Sequence, residues 1–406
     1  MSNETRRHFL KKTAVGGVAA TTLVKASQVI GSEANSRVKI GIVGHGGRGR
    51  MIAGLFHKNP KAQLVGVADY FPAVATAAVK KYGLPEKAAF SGLLGYQRLL
   101  DSGAEGLVLK NIPYFFPEQA GAAVKMGRHL YVAKPIAPDV FGSVQMGKLA
   151  HEATKKKTVF LADFQWRHLP YFVQCVKYIR EGKMGKIRFL RAHYNDEGRA
   201  DVRVRENISE LFQGLRWCMM RELGGGRLVA AGIHAVDTAL QTLGKRPESC
   251  CGVTQISRAN PINSADDTYS LTYSFGEGVT MNYSGDQFRN YHHEVDTFAG
   301  VTAYADHAYM ETFYGKGQTQ MRSRDWRYKG GENPNLYGWG AEFNVNRFVE
   351  KILAGDTDNT EFDTAVDTNL ACCLGRDAGL SGENLTWDKM LTKNEKYTAD
   401  LKGLTQ

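Results

Sequence analysis

The sequence predicts an α/β chain: an N-terminal doubly wound parallel sheet, then an α+β domain with an open, mostly antiparallel sheet. Three observations carry this. Short apolar runs alternate with helix-like stretches from Val38 to Ala162, as a parallel sheet with crossover helices requires. The first run ends in a glycine turn, Gly44-His45-Gly46-Gly47-Arg48-Gly49. Beyond Ser249 the alternation stops, and consecutive strand-like runs joined by short turns take over.

The chain opens with a segment that is address rather than fold. Thr5-Arg6-Arg7-His8-Phe9-Leu10-Lys11 has the form of a twin-arginine export signal. A modestly apolar stretch, Thr13 to Val24, follows, and Val24-Lys25-Ala26 offers a small-residue cleavage site. The stretch is too short for a membrane span of roughly 20 apolar residues. Residues 1–36 are read as signal and linker, residues 37–162 as the first domain, and residues 163–406 as the second. The expected location is periplasmic, or otherwise outside the cytoplasm by the twin-arginine route. Because that route exports folded proteins, a cofactor would leave the cytoplasm already bound.

In the first domain the expected strands are Val38–Val43, Leu64–Ala68, Gly106–Leu109, His129–Ala133 and Thr158–Ala162. Between them, Pro72–Tyr82, Pro117–Met126 and Asp139–Lys155 have helical composition. The second domain begins with a helix (Tyr171–Glu181), a strand (Arg188–Tyr194) and a charged loop through Arg205. Strands are then expected at Ser249–Ile256, Asp267–Ser274, Val279–Ser284, Glu294–Ala299 and Ala308–Phe313, and closing helices near Ala341–Leu353 and Thr364–Leu380.

Composition is that of a globular protein: 406 residues, 43% hydrophobic and 23% charged. The net charge of +11 falls to +7 once residues 1–26, with five basic residues and one acid, are removed. Lys155-Lys156-Lys157 reads as the solvated end of a helix, and no basic run interleaved with aromatics suggests nucleic-acid binding. The six cysteines form no C-x-x-C or Cys/His metal pattern and read as buried free thiols. His292-His293, adjacent on an expected strand, would point to opposite faces and could not share an ion, so no metal site is expected.

The glycine turn carries the first chemistry. Gly44 permits the tight turn, Gly46 lets backbone approach a pyrophosphate, and Gly49 lets helix and strand pack closely. With Gly47 and Arg48 they present a helix start, where amides and dipole favour phosphate. Asp69 ends the second strand, where an acid binds the ribose hydroxyls and repels a 2′-phosphate, so NAD is favoured over NADP.

Beyond the turn, the elements resemble the Gfo/Idh/MocA oxidoreductases. They are Pro113 with Pro117-Glu118-Gln119-Ala120 after the fourth strand, Lys134-Pro135 after the fifth, and Gly224-Gly225-Gly226 leading to Gly232-Ile233-His234-Ala235-Val236-Asp237. Asp163-Phe164-Gln165-Trp166-Arg167 is similar to a secreted subgroup with twin-arginine signals. The resemblance implies a Rossmann domain and hydride transfer between NAD(P) and a sugar or cyclic polyol. It also implies association through the outer face of the antiparallel sheet. Asn111, Pro113 and Lys134 would join the glycine turn and Asp69 as cofactor contacts, with Lys134 and His234 catalytic. A lysine ammonium at the carboxyl edge of the sheet can stabilise alkoxide character, and imidazole suits removal of the alcohol proton. Asp163, Gln165 and Arg167 would share one face if their strand continued; with Tyr194 and Asp237 they are the substrate candidates. The 196–206 loop, Trp217, Tyr283 and Tyr291 are further candidates to cover or stack on a sugar.

Three positions depart from the family pattern. Ala133 stands where a Glu often precedes Lys-Pro, Ala230 where an Asp often lies four residues before the histidine, and Phe116 where a histidine is common. They keep two alternatives open beside a net redox enzyme: a glycosidase or lyase acting by transient oxidation at C3, and a non-catalytic relative that binds nucleotide or sugar.

Overall fold

A computed structural model describes residues 37–196, 199–287 and 299–406. The export segment, Glu197-Gly198, Tyr291 and His292-His293 lie outside the described residues.

The nucleotide half is built in chain order from β1 (Val38–Val43), α1 (Gly47–Lys58), β2 (Ala62–Asp69), α2 (Pro72–Lys81), β3 (Ala89–Ser91), α3 (Gly95–Asp101) and β4 (Gly106–Leu109). It continues with α4 (Phe116–Lys125), β5 (His129–Ala133), α5 (Val140–Lys155) and β6 (Phe160–Asp163). All six strands are parallel in the order β3-β2-β1-β4-β5-β6. Chain order reverses at β1, so a crevice opens above the carboxyl ends of β1 and β4, where such sheets bind ligands. β1 and β4 are almost wholly apolar because helices cover both of their faces.

The second half runs through α6 (Pro170–Arg180), β7 (Ile187–Asn195), a short α7 (Arg221–Gly224), a π-turn at Leu228–Gly232, and α8 (Ile233–Leu243). Next come β8 (Ser249–Gln255), β9 (Thr268–Ser274), β10 (Thr280–Asp286), β11 (Ala299–Ala305), β12 (Ala308–Phe313), β13 (Gln318–Ser323) and β14 (Arg327–Gly331). The described chain closes with α9 (Leu336–Ala354), α10 (Glu361–Ser381), β15 (Leu385–Thr386) and α11 (Trp387–Lys393). The nine-stranded sheet has the order β14-β13-β12-β11-β7-β10-β9-β8-β15 and is antiparallel except where β7 and β10 pair. Period-two burial, as in β9 and β10, turns one face of it to the core.

The two halves are not separate bodies. α9 returns to the nucleotide half, where Phe348 packs edge-on to Phe56 and Tyr131 in one apolar core with Ile40, Ile42 and Val345. α10 does the same on the other face, where Phe362 meets Phe160 at 4.5 Å between ring centroids. After α11 the chain also crosses back: Tyr397 N–H donates to Asp139, and Leu93 N–H donates to the Thr405 carbonyl.

All six cysteines are unpaired; Cys251 is exposed and the others are buried. Among the described residues no group of His, Cys, Asp or Glu could hold a metal ion. No described helix is long and apolar enough to cross a membrane.

Candidate active site

A cavity of about 1120 Å3 runs from the glycine turn across the sheet edge to α8. At its nucleotide end, Gly44 has φ +87°, and a Cβ there would lie 2.5 Å from Asn111 N. A Cβ on Gly49 would meet the Gly44 carbonyl at 2.1 Å, so a side chain would drive α1 away from the turn. A Cβ on Gly46 would have nothing within 4 Å: the turn opens there into the cavity, as backbone contact with a pyrophosphate needs. Asp69 accepts from His45 N–H at 2.8 Å and Phe71 N–H at 3.1 Å, which ties the turn to the end of β2. Burial raises its pKa while these two amides pull it down. Each oxygen retains lone-pair capacity toward the cavity it lines. These features fit a dinucleotide.

Asn111 and Pro113 line the cavity where the chain leaves β4, and the Asn111 amide oxygen is buried without a partner. Arg48, expected only at the cofactor, donates across the cleft to the Tyr337 carbonyl at 3.3 Å and so joins α1 to α9.

Lys134 follows β5 through a cis Lys134–Pro135 peptide, and its Nζ donates to the Ala230 carbonyl at 2.9 Å. Ala230 sits in the π-turn ahead of α8, an irregularity common at functional sites. The position where the family resemblance led to the expectation of a carboxylate therefore meets the lysine with a main-chain carbonyl. Burial lowers the Lys134 pKa to about 8, Cys218 opposes this, and Arg48 and Arg227 add to it. His234, in the first turn of α8, is 3% exposed. Its ring stacks on Tyr194 at 6.1 Å and meets Tyr337 at 5.5 Å. Burial, then the cations Lys134 and Arg48, hold the imidazole neutral far below its ordinary range.

Lys134, His234, Asp163, Gln165 and Tyr194 all line this cavity, as do Ala133, Ala230 and Phe116. Asp163 is committed elsewhere: it is 1% exposed, accepts from Lys110 at 2.5 Å and from Asn344 at 2.9 Å. Lys110, then Arg48, and the Asn344 amide hold its carboxyl well below the usual range despite burial. Gln165 donates back to the Asp163 carbonyl at 2.7 Å.

Two expectations are corrected. β6 ends at Asp163, so residues 163, 165 and 167 do not alternate along a strand. Arg167 turns away from the cavity and clamps Asp237, through Nε at 3.1 Å to both carboxylate oxygens and Nη2 at 2.6 Å. Asp237 also accepts from Thr368 at 2.9 Å. This fully buried pair ties the segment after β6 to α8 and α10; neither residue lines the cavity. Trp217, Asp196 and Arg199 do line it, whereas Tyr283 lies beneath Gly232 in the core.

Sequence reading missed Lys110, Cys218, Arg227 and Tyr337, all of which line the cavity. Arg227 directly follows the three glycines and could have been noticed there; Tyr337 arrives from α9 with no local signal.

Residues 38–161 match the sequence profile described as "Oxidoreductase family, NAD-binding Rossmann fold", and residues 172–304 match that of the GFO/IDH/MocA C-terminal domain. The levoglucosan dehydrogenase of Pseudarthrobacter phenanthrenivorans is 25% identical over 182 residues, 44% of this chain and 42% of that protein. An uncharacterized oxidoreductase of Synechocystis is 23% identical over 34% of each chain. The matches thus span about a third to two-fifths of the length of these curated relatives. The fold is similar to that of an aldose-aldose oxidoreductase from Caulobacter crescentus in complex with glycerol, with TM-score 0.69 and 17% identity over 86% of this chain and 99% of that one. A levoglucosan dehydrogenase in complex with NADH and levoglucosan gives TM-score 0.69 and 16% identity over the same shares.

Proposed function

The chain belongs to the Gfo/Idh/MocA oxidoreductase family, and on that premise we propose that it is an exported, NAD-dependent enzyme that oxidises or reduces a carbohydrate hydroxyl. One observation carries the reading. The glycine turn with Asp69, and Lys134 with His234, face one cavity from opposite ends, although 190 positions separate Gly44 from His234.

Gly44–Gly49 and Asp69 would hold the dinucleotide, with Asp69 repelling the extra phosphate of NADP. Bound there, NAD would supply the hydride acceptor for a carbinol carbon. Lys134 spends one N–H on the Ala230 carbonyl, which fixes its direction and leaves two donors for a substrate oxygen. Those donors stabilise negative charge growing on that oxygen. His234 is held in the neutral form that accepts a proton from it. Tyr194 and Tyr337 wall the imidazole on two sides and fix its plane.

A retained cofactor belongs to the same proposal. The cavity wall at Tyr70 and Leu93 is backed by a cluster joining Ile112, Leu211, Ala399 and Leu404, with the Phe212 ring 5.1 Å from Tyr70. A cofactor that does not leave must be recycled in place by a second carbohydrate or redox partner. The twin-arginine-like motif at Thr5–Lys11, if it directs export, favours a nucleotide bound before the chain leaves the cytoplasm. Pairing through the outer face of the nine-stranded sheet, where Phe189 stacks on the half-exposed Tyr304, completes the reading.

The test is mass spectrometry of nucleotide released by denaturing the purified mature protein. One equivalent of NAD or NADH is expected, and paired sugars should then exchange redox state without added cofactor. NADP in its place would overturn the reading of Asp69. An empty protein that also fails to bind added NAD would remove the enzyme reading altogether. Release of an aglycone with no net redox change would move it to transient oxidation and elimination.

A further inference from the structure

We infer that α10, which contributes no residue to the cavity wall, is the element that aims Lys134: its Asn369 and Arg376 are positioning residues that fix the lysine's segment against the π-turn carrying Ala230. The inference rests on the oxidoreductase reading for its consequence and adds two residues to that machinery.

Both residues break the pattern of their helix. α10 runs through the interior with Ala371, Leu374 and Ala378 in the core, yet Asn369 and Arg376 beside them are 0% exposed. A buried amide or guanidinium is costly unless hydrogen bonds replace its water. Here the replacements are mostly main-chain groups on either side of the catalytic contact. Asn369 accepts from Ile136 N–H at 3.1 Å, and its amide donates to the Ala137 carbonyl at 3.1 Å and to Ser143 Oγ at 2.8 Å. Arg376 lies two turns further along the same face. Its Nη1 donates to the Pro138 carbonyl at 2.7 Å and to the Gly225 carbonyl at 3.0 Å, while Nε donates to Asp377 at 2.8 Å.

Ile136 to Pro138 is the run that follows Lys134-Pro135, and Gly225 lies just ahead of the π-turn. One guanidinium nitrogen therefore bridges the two segments whose spacing sets Lys134 Nζ 2.9 Å from the Ala230 carbonyl. The segments also touch directly: Gly225 has φ +81°, and a Cβ there would lie 2.6 Å from the Pro138 carbonyl oxygen. Without Arg376 two buried carbonyls lose the donor they share, and without Asn369 a buried amide and carbonyl lose theirs. Such groups move to find other partners, and the lysine two residues away moves with them. Misplacing a catalytic group by about 1 Å can cost ~100-fold in rate, so the helix behind the site carries part of its chemistry.

Competitive acetylation with trace acetic anhydride across pH tests this on the full mature protein and needs no substrate. Mass spectrometry of the peptide holding Lys134 reads the extent of labelling. In the wild type the midpoint should lie near 8, where burial holds the lysine below its ordinary 10.5, with Cys218, Arg48, Arg227 and Asp163 facing it. Asn369→Ala and Arg376→Gln should free the segment, let the ammonium reach water and raise the midpoint by about one pH unit or more. Leu374→Ala, a core change on the same helix, should lower the melting temperature and leave the midpoint in place. A midpoint unmoved in both polar variants overturns the inference, as does an equal rise in Leu374→Ala. Should either polar variant fail to fold, Asn369→Ser or Arg376→Lys, which keep one hydrogen-bonding atom, should give a rise in the same direction. An unmoved midpoint beside normal NAD binding would remove this inference alone, whereas failure to bind NAD would remove the oxidoreductase reading.

Discussion

Asp237→Asn should cost folding stability and leave the chemistry intact. The wild-type carboxylate accepts three hydrogen bonds from Arg167 and one from Thr368, with the two ion-pair side chains 4% and 2% exposed. Asparagine keeps the shape, but it removes the charge and turns one acceptor into a donor aimed at a guanidinium. Breaking one side of a buried pair costs about 3–5 kcal/mol, because the partner charge remains in the interior. Arg167 retains Thr364 at 2.8 Å, a long contact to the Glu361 carbonyl, and a distant ion pair at 3.8 Å to the Glu361 carboxylate, which His168 and Arg347 already share. At roughly 2–4 °C per kcal/mol for a domain of this size, thermal unfolding should begin about 6–20 °C lower. Differential scanning calorimetry reads the shift, and KM and kcat measured well below it should stay near wild type. The double variant Arg167→Met with Asp237→Leu should recover much of the loss, since apolar replacement of both partners removes the unpaired charge. Unchanged stability together with a raised KM would refute this and return Asp237 to the substrate.

Lys134→Ala should lower kcat by about 10²–10⁴-fold while nucleotide titration shows NAD affinity little changed, since general acid–base groups contribute on that scale. The Lys134 pKa of about 8 places loss of the ammonium above that pH. Oxidation kcat/KM should therefore fall as pH rises through 8, with no acid limb from His234 near pH 6.5 because it is already neutral there; a rate that climbs through 8 would make the lysine the base instead. Asp69→Ser should narrow the NAD-over-NADP preference by about ten-fold or more, ~1.4 kcal/mol, in parallel binding titrations. Deleting residues 398–406 removes Ala399, Leu404 and the Thr405 contact to Leu93. It should speed NAD release by about ten-fold in stopped-flow and lower the nucleotide content of the purified protein.

The first half of the fold was legible because each of its signals is local. β1, β4 and β5 lie where the apolar runs put them, and Gly44, Gly49 and Asp69 act on neighbours within one turn or one adjacent strand. Lys134 and His234 were named through the family resemblance carried by Lys134-Pro135 and the Gly-Ile-His segment, and the fold brings both to one cavity. What failed was direction over distance. Arg167 looked like a strand-end residue facing a ligand, but its partner is 70 positions away, and nothing near Arg167 announces Asp237. Tyr337 comes from a helix whose own pattern reports only its apolar face. β13 and β14, rich in Gln, Arg and Lys, gave no strand signal, because pairing with β12 rather than composition makes them strands. The π-turn before α8 depends on one added residue per turn, which apolar periodicity cannot resolve.

The return of α9 has a consequence for any attempt to shuffle this protein with its relatives. A cut after β6 looks natural on paper, yet it would strip Ala341, Val345, Phe348 and Val349 from beneath β1 and leave that apolar face wet. A graft of a foreign substrate half would bring a foreign α9, with no reason to interlock with Phe56 and Tyr131. Recombination should thus succeed where residues 336–354 travel with the nucleotide half, and fail where the exchange obeys sequence order. The unit of inheritance here is a discontinuous one.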